Sequence, residues 1–317
     1  MRRSSFIVFL ITLGVCLSFS SRADASLQSK TQTLHIPSGA ALEAQIQVWS
    51  AEIEDSKKQS PQPKPAAILV FGGFQNAAKV LDLLTPHLEG IGVSDVVLAS
   101  FDYPFEPPRK FEFPASLRFA AQAKLMIHQT VEGIVELRRH LIEKWNVDPH
   151  RITLIGASLG APFAALAAQP GLFPGLVFVH GFGEIQKTAQ FQLEQSWSPK
   201  SQNGNAKWPA KWAWLVTPVA WCLTQIGEWY FAMKSPEEAV SQLTPETKVF
   251  VISAENDRFI PQSASAALWN SVLRSKTVVR ERWVMPGDHV QPGPGGEAKI
   301  GQIFSKVCAW LKAQGLL

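Results

Sequence analysis

The stretch RITLIGASLGAPFAALAAQ, residues 151–169, decides how this chain folds. An apolar run leads into Gly156-Ala157-Ser158-Leu159-Gly160, and an alanine-rich segment of helical character follows. Small residues on either side of Ser158 let the backbone turn sharply from strand to helix. A helix that starts at such a turn points its backbone N–H groups at an oxygen bound there. The pattern therefore predicts a nucleophilic serine between a buried strand and a helix.

Apolar runs recur on both sides of this motif and alternate with helical patterns. Continuous apolar runs are typical of strands covered on both faces, as in parallel sheets. Strands are predicted at residues 34–36, 44–49, 66–71, 96–101, 152–155, 176–179, 249–252 and 277–284, and helices at 119–145, 161–168, 264–273 and 297–313. The alternation predicts an α/β fold with a mostly parallel, doubly wound sheet of about eight strands.

Two polar residues that suit catalysis follow predicted strands downstream of the serine. Asp257 comes shortly after the run that ends at residue 253, and His289 follows the last predicted strand. A serine hydroxyl is a weak nucleophile until a base such as histidine takes its proton. An aspartate fixes the imidazole tautomer and stabilises the imidazolium that forms. Glu255 stays an alternative acid, whereas Asp288 adjoins His289 in sequence and is not expected to face its ring.

In this order of serine, acid and histidine, the chain resembles the α/β-hydrolase family from about Thr31 to its C-terminus. The resemblance implies Ser158 as nucleophile, His289 as base and Asp257 as acid. It implies a serine hydrolase that cleaves a carboxylic ester or related acyl bond in a small-molecule or lipid-like substrate. A peptidase, an acyltransferase and a non-catalytic binding protein on the same fold stay open as alternatives.

The oxyanion formed during acyl transfer needs aimed backbone donors. The resemblance implies one donor in the N–H of Leu159, directly after the nucleophile. The second is expected in the glycine-containing loop 71–76, where the His-Gly pair of many family members is absent. Gly73 and Phe74 are both candidates, with Phe74 preferred, and Gln75 is a candidate substrate contact.

An insert of about residues 183–234 separates two predicted strands and is far longer than a plain connection. Six of the chain's 11 tryptophans fall between Trp197 and Trp229, and residues 212–227 carry no charge. We expect a helical lid, with Trp212 and Trp221 as substrate contacts. Three interpretations stay open: an aromatic cover over apolar acyl groups, a surface that rests on a membrane, or a lid whose tryptophans form its own core.

The N-terminus has the pattern of a secretory signal peptide. Arg2 and Arg3 precede an apolar run at residues 6–19, and Ala23-Asp24-Ala25 follows. The apolar run is shorter than the roughly 20 residues that span a bilayer. We therefore predict cleavage after Ala25, a hydrolase domain at 26–317, and export to the periplasm or the medium.

The remaining composition narrows the classes of partner and cofactor. The net charge is +4, from 30 basic and 26 acidic residues, so no basic face for nucleic acid is indicated. Three cysteines are too few for a disulfide scaffold, and the sequence leaves open whether Cys222 and Cys308 pair. No group of His, Cys, Asp and Glu has metal-ligand spacing along the chain, so no metal or other cofactor is expected. His180, which ends a predicted strand, is expected to be structural.

Overall fold

A computed structural model describes residues 25–51, 63–73, 76–90, 95–105, 115–197, 214–231, 234–291, 293 and 295–317. Nearly all of the predicted signal peptide lies outside these ranges, so cleavage after Ala25 and export stay predictions. Phe74, Gln75 and Trp212 also lie outside them. Within the described ranges, no helix combines the length and the apolar character that crossing a bilayer requires.

The described residues form one eight-stranded sheet at the centre of the molecule. Its strands are β1 (Ala25–His35), β2 (Ala41–Ala51), β3 (Ala66–Phe71), β4 (Val96–Phe101), β5 (Ile152–Ala157), β6 (Gly175–Val179), β7 (Lys248–Ala254) and β8 (Arg280–Met285). Their spatial order is β1-β2-β4-β3-β5-β6-β7-β8. β2 pairs antiparallel with β1 and β4, and every other neighbouring pair is parallel. The predicted sheet of about eight mostly parallel strands is confirmed.

The central strands follow the sequence pattern closely, because both of their faces are covered. Every residue of β3, β4 and β6 is buried. β1 is much longer than the predicted strand at 34–36. Its first part is mostly exposed and is paired with β2 through the backbone. This part therefore has no alternation of apolar and polar residues from which a strand could be predicted.

Eight helices are described, and most of them cover the two faces of the sheet. They are α1 (Ala77–Gly90), α2 (Ala115–Trp145), α3 (Gly160–Ala167), α4 (Ile185–Trp197), α5 (Val216–Phe231), α6 (Pro236–Ser241), α7 (Gln262–Arg274) and α8 (Gly296–Ala313). α1 and α8 pack on one face, and α2, α3, α6 and α7 pack on the other. α4 and α5 belong to the predicted insert and pack on each other.

The sequence analysis missed α1 and α4, for different reasons. α1 has buried residues at helical spacing, Val80, Leu81, Leu84 and Leu88, so its pattern was available. α4 is mostly polar and has a weak apolar stripe, and its position depends on contacts with the rest of the fold.

The parallel arrangement brings the carboxyl ends of β5 to β8 to one edge of the sheet. Ser158, His180, Asp257 and His289 each follow one of these strands. Open α/β sheets bind ligands outside the carboxyl ends of their strands, so this edge is where a site is expected.

Candidate active site

Ser158 lies in the tight turn between β5 and α3. Its backbone φ is +52°, in the left-handed region that non-glycine residues occupy only under strain. The turn is held by a hydrogen bond of 2.8 Å from the Ser158 N–H to the Val179 carbonyl. A second bond, of 3.0 Å, runs from the Ala161 N–H to the Ser158 carbonyl. This geometry presents the hydroxyl at the edge of the sheet.

The two glycines of the motif are required by close approach. A Cβ on Gly160 would lie 2.0 Å from the carbonyl oxygen of Phe71, which is backbone and cannot move aside. A Cβ on Gly156 would lie 2.6 Å from the Cβ of Ala164. The predicted need for small residues around Ser158 is confirmed, because helix α3 crosses directly over β3 and β5.

The structure brings Ser158, His289 and Asp257 into one hydrogen-bonded chain. His289 Nε2 lies 3.1 Å from Ser158 Oγ, and His289 Nδ1 lies 2.8 Å from Asp257 Oδ2. Both side chains of the His–Asp pair are almost fully buried. With the imidazole proton on Nδ1, His289 donates a hydrogen bond to the carboxylate, and its Nε2 is free to accept one from the Ser158 hydroxyl.

The environment of Asp257 keeps its carboxyl group ionised. Its Oδ1 accepts hydrogen bonds of 2.9 Å from the N–H groups of Phe259 and Ile260. Burial acts to raise the pKa of Asp257, but interactions with His180 and His289 and the Phe259 N–H outweigh it. They hold the pKa of this carboxyl well below its usual range. A charged acid is therefore available to orient His289 at neutral pH.

Of the three candidate acids, Asp257 is the one hydrogen-bonded to the His289 ring. Asp288 Oδ1 accepts from the N–H groups of Arg258 at 2.8 Å and His289 at 2.7 Å, and its Oδ2 pairs with the Arg258 guanidinium. Glu255 is exposed and lines a second cavity of about 420 Å³.

The described part of the loop expected to supply the second oxyanion donor lies beside the nucleophile. Gly72, Gly73 and Leu159 line the same cavity as Ser158. The N–H of Leu159 is at the start of α3, where backbone donors have no partner within the helix. Phe74 lies outside the described residues, so the choice between Gly73 and Phe74 stays open.

Tyr103, which the sequence analysis did not select, fixes this loop. Its hydroxyl donates a hydrogen bond of 2.6 Å to the carbonyl of Gly72. Burial raises the pKa of the Tyr103 phenol, so the group stays a neutral donor. Tyr103 is one of only two tyrosines in the chain and lies two residues after the predicted strand at 96–101. This position was the signal available in the sequence.

The cavity beside Ser158 has a volume of about 780 Å³, within the usual range for small-ligand sites. Thr188 and Gln192 of α4 contribute to its wall, and the Gln192 amide donates to the Phe259 carbonyl. Trp221 is not among the residues lining this cavity. It lies on α5 with about half of its surface (51%) exposed.

His180, Asp257 and His289 each place one potential metal-ligand atom within 4.8 Å of the others. The expectation of no metal site was based on the spacing of residues along the chain. Such spacing cannot show that residues at three different strand ends lie close together. The atoms concerned already interact, because His289 Nδ1 contacts Asp257 Oδ2 and His180 Nε2 faces the Val290 N–H at 3.4 Å. A metal ion here would displace the hydrogen bond that orients His289.

No protein-family model matches the sequence, and neither does any curated protein. Solved structures do resemble the chain. A prolyl endopeptidase aligns with a TM-score of 0.56 and 12% identity, over 90% of this chain and 38% of the endopeptidase. An esterase from Pyrococcus furiosus aligns with a TM-score of 0.56 and 13% identity, over 90% of this chain and 93% of the esterase.

A carboxylesterase from Lactobacillus plantarum aligns with a TM-score of 0.52 and 16% identity, over 92% of this chain and 98% of the carboxylesterase. The chain thus spans well under half of the endopeptidase but nearly all of either esterase. Likeness at such low identity concerns the fold alone. Taken with the strand order and the serine at the turn between β5 and α3, it shows that the chain has the α/β-hydrolase fold.

Proposed function

We propose that this chain is a serine hydrolase that cleaves a carboxylic ester or a related acyl bond. The observation that carries the proposal is the hydrogen-bonded chain from Ser158 through His289 to Asp257, with spacings of 3.1 Å and 2.8 Å. The positive φ of Ser158 supports it, since strain of this kind persists where the surrounding structure enforces it and clusters at active sites.

In the proposed reaction, Ser158 Oγ attacks the substrate carbonyl while His289 Nε2 takes the hydroxyl proton. Asp257 holds the imidazole and stabilises its positive charge. The N–H of Leu159 and a second donor, from Gly73 or Phe74, stabilise the oxyanion. His289 then returns the proton to the leaving group, and a water molecule activated by the same histidine releases the acyl group from Ser158.

The insert of residues 183–234 is proposed to act as a lid. Its helix α4 supports this role, because Thr188 and Gln192 line the cavity and the Gln192 amide is bound to the segment that follows Asp257. The proposed lid therefore forms part of the substrate site through polar side chains. Substrate contacts by Trp212 and Trp221 stay predictions.

Labelling with a fluorophosphonate tests the proposal directly. The wild type and Ser241→Ala, a serine variant on α6 far along the chain from the motif, are expected to be labelled and to hydrolyse p-nitrophenyl esters. Ser158→Ala should show neither property. Peptide substrates and alcohol acceptors in the same assays separate a peptidase and an acyltransferase from an esterase. A folded wild type that is neither labelled nor active would contradict the proposal and favour the binding-protein alternative.

Proposed export is tested separately by N-terminal sequencing of the protein from the periplasm or medium. Ser26 is expected as the first residue, and an intact Met1 would contradict cleavage after Ala25.

A further inference from the structure

One part of the cavity runs from Ser158 between the sheet and the helices α1 and α8. We call it the apolar arm and define it by its lining residues. Its floor consists of Val70, Ile155 and Val179 from the sheet, and its walls consist of Val80, Leu83, Ile300, Ile303, Phe304 and Val307. Every one of these side chains is aliphatic or aromatic.

Part of the apolar arm borders the packed core of this face of the sheet. Ile68 and Val177, in the same core cluster as the floor residues, have no exposed surface. α1 and α8 touch where Gly301 meets His87, since a Cβ on Gly301 would lie 2.3 Å from the imidazole. The arm is therefore bounded by packed residues on this side, and Ser158 lines the same cavity.

Polar side chains line the rest of the cavity. They include Ser158, His289, Thr188 and Gln192, and also Asn76 and Lys79 at the start of α1, whereas the remaining lining residues of α1 and those of α8 are apolar. A ligand that matches this distribution has a polar, reactive group at one end and an aliphatic chain at the other. Such recesses gain affinity by removing apolar surface from water.

We infer that the apolar arm binds an aliphatic chain of the substrate, with the scissile ester held at Ser158. This inference rests on the proposed function and adds the class of substrate. The chain can belong to the acyl or the alcohol part of the ester. Each buried methylene is expected to raise kcat/KM about fourfold until the arm is full, which corresponds to about 0.8 kcal/mol.

Two ester series test the inference and separate the two sources of the chain. In one series, p-nitrophenyl esters differ in acyl length from acetate to dodecanoate, and in the other, acetates differ in alcohol length. We expect the wild type to prefer longer chains in one series. Leu83→Trp fills the arm and should remove this gain, whereas Phe304→Ala enlarges it and should move the preferred length upward. Lys306→Trp, on the exposed side of α8, is the matched control and should behave as the wild type.

A binding measurement keeps this inference separate from the proposed function. Calorimetry with decanoate on Ser158→Ala should show binding, and adding Leu83→Trp to that variant should weaken it at least about tenfold. Decanoate binding without ester turnover would contradict the proposed function but would support the apolar arm as a binding site for an aliphatic chain. Two results would overturn the inference that the arm binds an aliphatic chain. One is the same chain-length profile of turnover in the wild type and Leu83→Trp, and the other is equal decanoate binding by Ser158→Ala with and without Leu83→Trp.

A separate observation concerns His180, the residue after β6. Its backbone φ is +49°, again in the left-handed region, and only 3% of its surface is exposed. The imidazole lies between the carboxylate of Asp257 and the backbone of Val290. The fold thus places a buried histidine, in a strained conformation, against the acid that contacts the proposed base and against the residue that follows this base.

The contacts of His180 define its tautomer. The N–H of Val290 points at His180 Nε2 across 3.4 Å, so Nε2 is the acceptor and the ring proton is on Nδ1. Nδ1 lies 3.5 Å from Asp257 Oδ2, the same oxygen that His289 Nδ1 contacts at 2.8 Å. Nδ1 has no hydrogen-bond partner among the described residues, and a small movement would complete the bond to Asp257.

We propose that His180 is a positioning residue for the pair Asp257 and His289. One imidazole connects the carboxylate to the residue that follows His289 in the chain. The two histidine rings also pack together, with centroids 4.5 Å apart and planes at 37°. His180 therefore restricts both the carboxylate and the rotation of the His289 ring, which keeps Nε2 directed at Ser158.

Three variants separate the two contacts of His180. His180→Asn places an amide near the position of Nδ1 and keeps a donor for Asp257. His180→Gln places an amide near the position of Nε2 and keeps an acceptor for the Val290 N–H. His180→Phe keeps only an aromatic ring. We expect His180→Phe to lower kcat about tenfold or more, because Asp257 loses the nearby ring N–H that restrains it, with little change in KM. His180→Asn should recover more of kcat than His180→Gln. The same kcat in a folded His180→Phe variant as in the wild type would overturn the proposal.

The tautomer is measured independently of activity and of these variants. NMR of the wild type with ¹⁵N-labelled histidine should show the His180 proton on Nδ1 and a downfield His289 Nδ1 proton. In His180→Phe the His289 signal should move, because its partner Asp257 loses one restraint. A proton found on His180 Nε2 would contradict the proposal even when the chain hydrolyses esters.

Discussion

The sheet edge that carries Ser158 and the helix pair α4–α5 are built in opposite ways. At the edge, two residues with positive φ, Ser158 and His180, follow strands that are almost entirely buried. In the pair, α5 packs on α4 through a small cluster of Val216 and Ala220 with Leu193 and Val219. The outer side of this pair exposes 70% of Trp214, 51% of Trp221 and 44% of Leu223.

The difference concerns how firmly each region holds its backbone conformation. Strained backbone costs about 1–3 kcal/mol per residue and persists only where the surrounding packing enforces it. The strand ends provide that packing, because both faces of the sheet are covered. Among the side chains of the helix pair that the structure describes, few are buried, and regions of that kind open at low free-energy cost. A lid suits the second environment, and a catalytic group suits the first.

The largest effect is expected from removing the charge at the sheet edge. Asp257→Asn should lower kcat about 10⁴-fold, the size of effect seen when the acid of a Ser-His-Asp triad becomes an amide. Ester hydrolysis by the purified variant measures this. Asp288→Asn is the matched control and should cost less than about tenfold, since its carboxylate is engaged with Arg258. Equal losses in both variants would contradict the choice of acid.

Crowding at the turn after Ser158 is expected to have the next largest effect. Gly160→Ala should lower the free energy of unfolding by about 3 kcal/mol or more, because its Cβ would lie 2.0 Å from the Phe71 carbonyl oxygen. Gly73→Ala is the control, since a Cβ there meets nothing within 4 Å. Urea unfolding measures both. A Gly160→Ala variant as stable as the wild type would mean that α3 and β3 are farther apart than described.

The pKa of Asp257 predicts how stability depends on pH. The carboxyl has a pKa below its usual value in the folded chain and about 3.9 in the unfolded one. Its contribution to stability is therefore complete well above pH 3.9 and is lost as pH falls through the folded value. Urea unfolding between pH 2.5 and 6 should show a steeper decline for the wild type than for Asp257→Asn. Parallel curves would contradict the lowered pKa.

The smallest effect is expected on the outer side of α5. Trp221→Ser should change the free energy of unfolding by no more than about 0.5 kcal/mol, as surface substitutions usually do. Phe178→Ala in the sheet core is the comparison and should cost about 3–5 kcal/mol. A large loss in Trp221→Ser would support the interpretation of the tryptophans as a core.

The interpretation of the insert as a membrane-resting surface concerns the same exposed side chains. If they rest on lipid, the wild type should co-sediment with liposomes and the double variant Trp214→Ser/Trp221→Ser should remain in the supernatant. Equal sedimentation of both proteins would show that Trp214 and Trp221 do not form the membrane contact.

Features that depend on neighbouring residues could be predicted from the sequence. β3 and β4 match their predicted bounds, because a strand covered on both faces must be continuously apolar. The sharp turn at Ser158 follows from its flanking glycines, and the order of serine, acid and histidine follows from the successive strand ends. The exposed start of β1 and the polar helix α4 lack such local signals, so their positions could not be predicted.

Contacts between groups that are far apart in the chain became visible in the folded structure. It placed Tyr103 on the Gly72 carbonyl, His180 against Asp257 and an apolar recess between α1 and α8. It also placed Asp257, the acid preferred from the sequence, and not the alternative Glu255, against His289 Nδ1. The physical reason is that these contacts join residues far apart in the chain, and their geometry depends on the register and packing of the whole sheet.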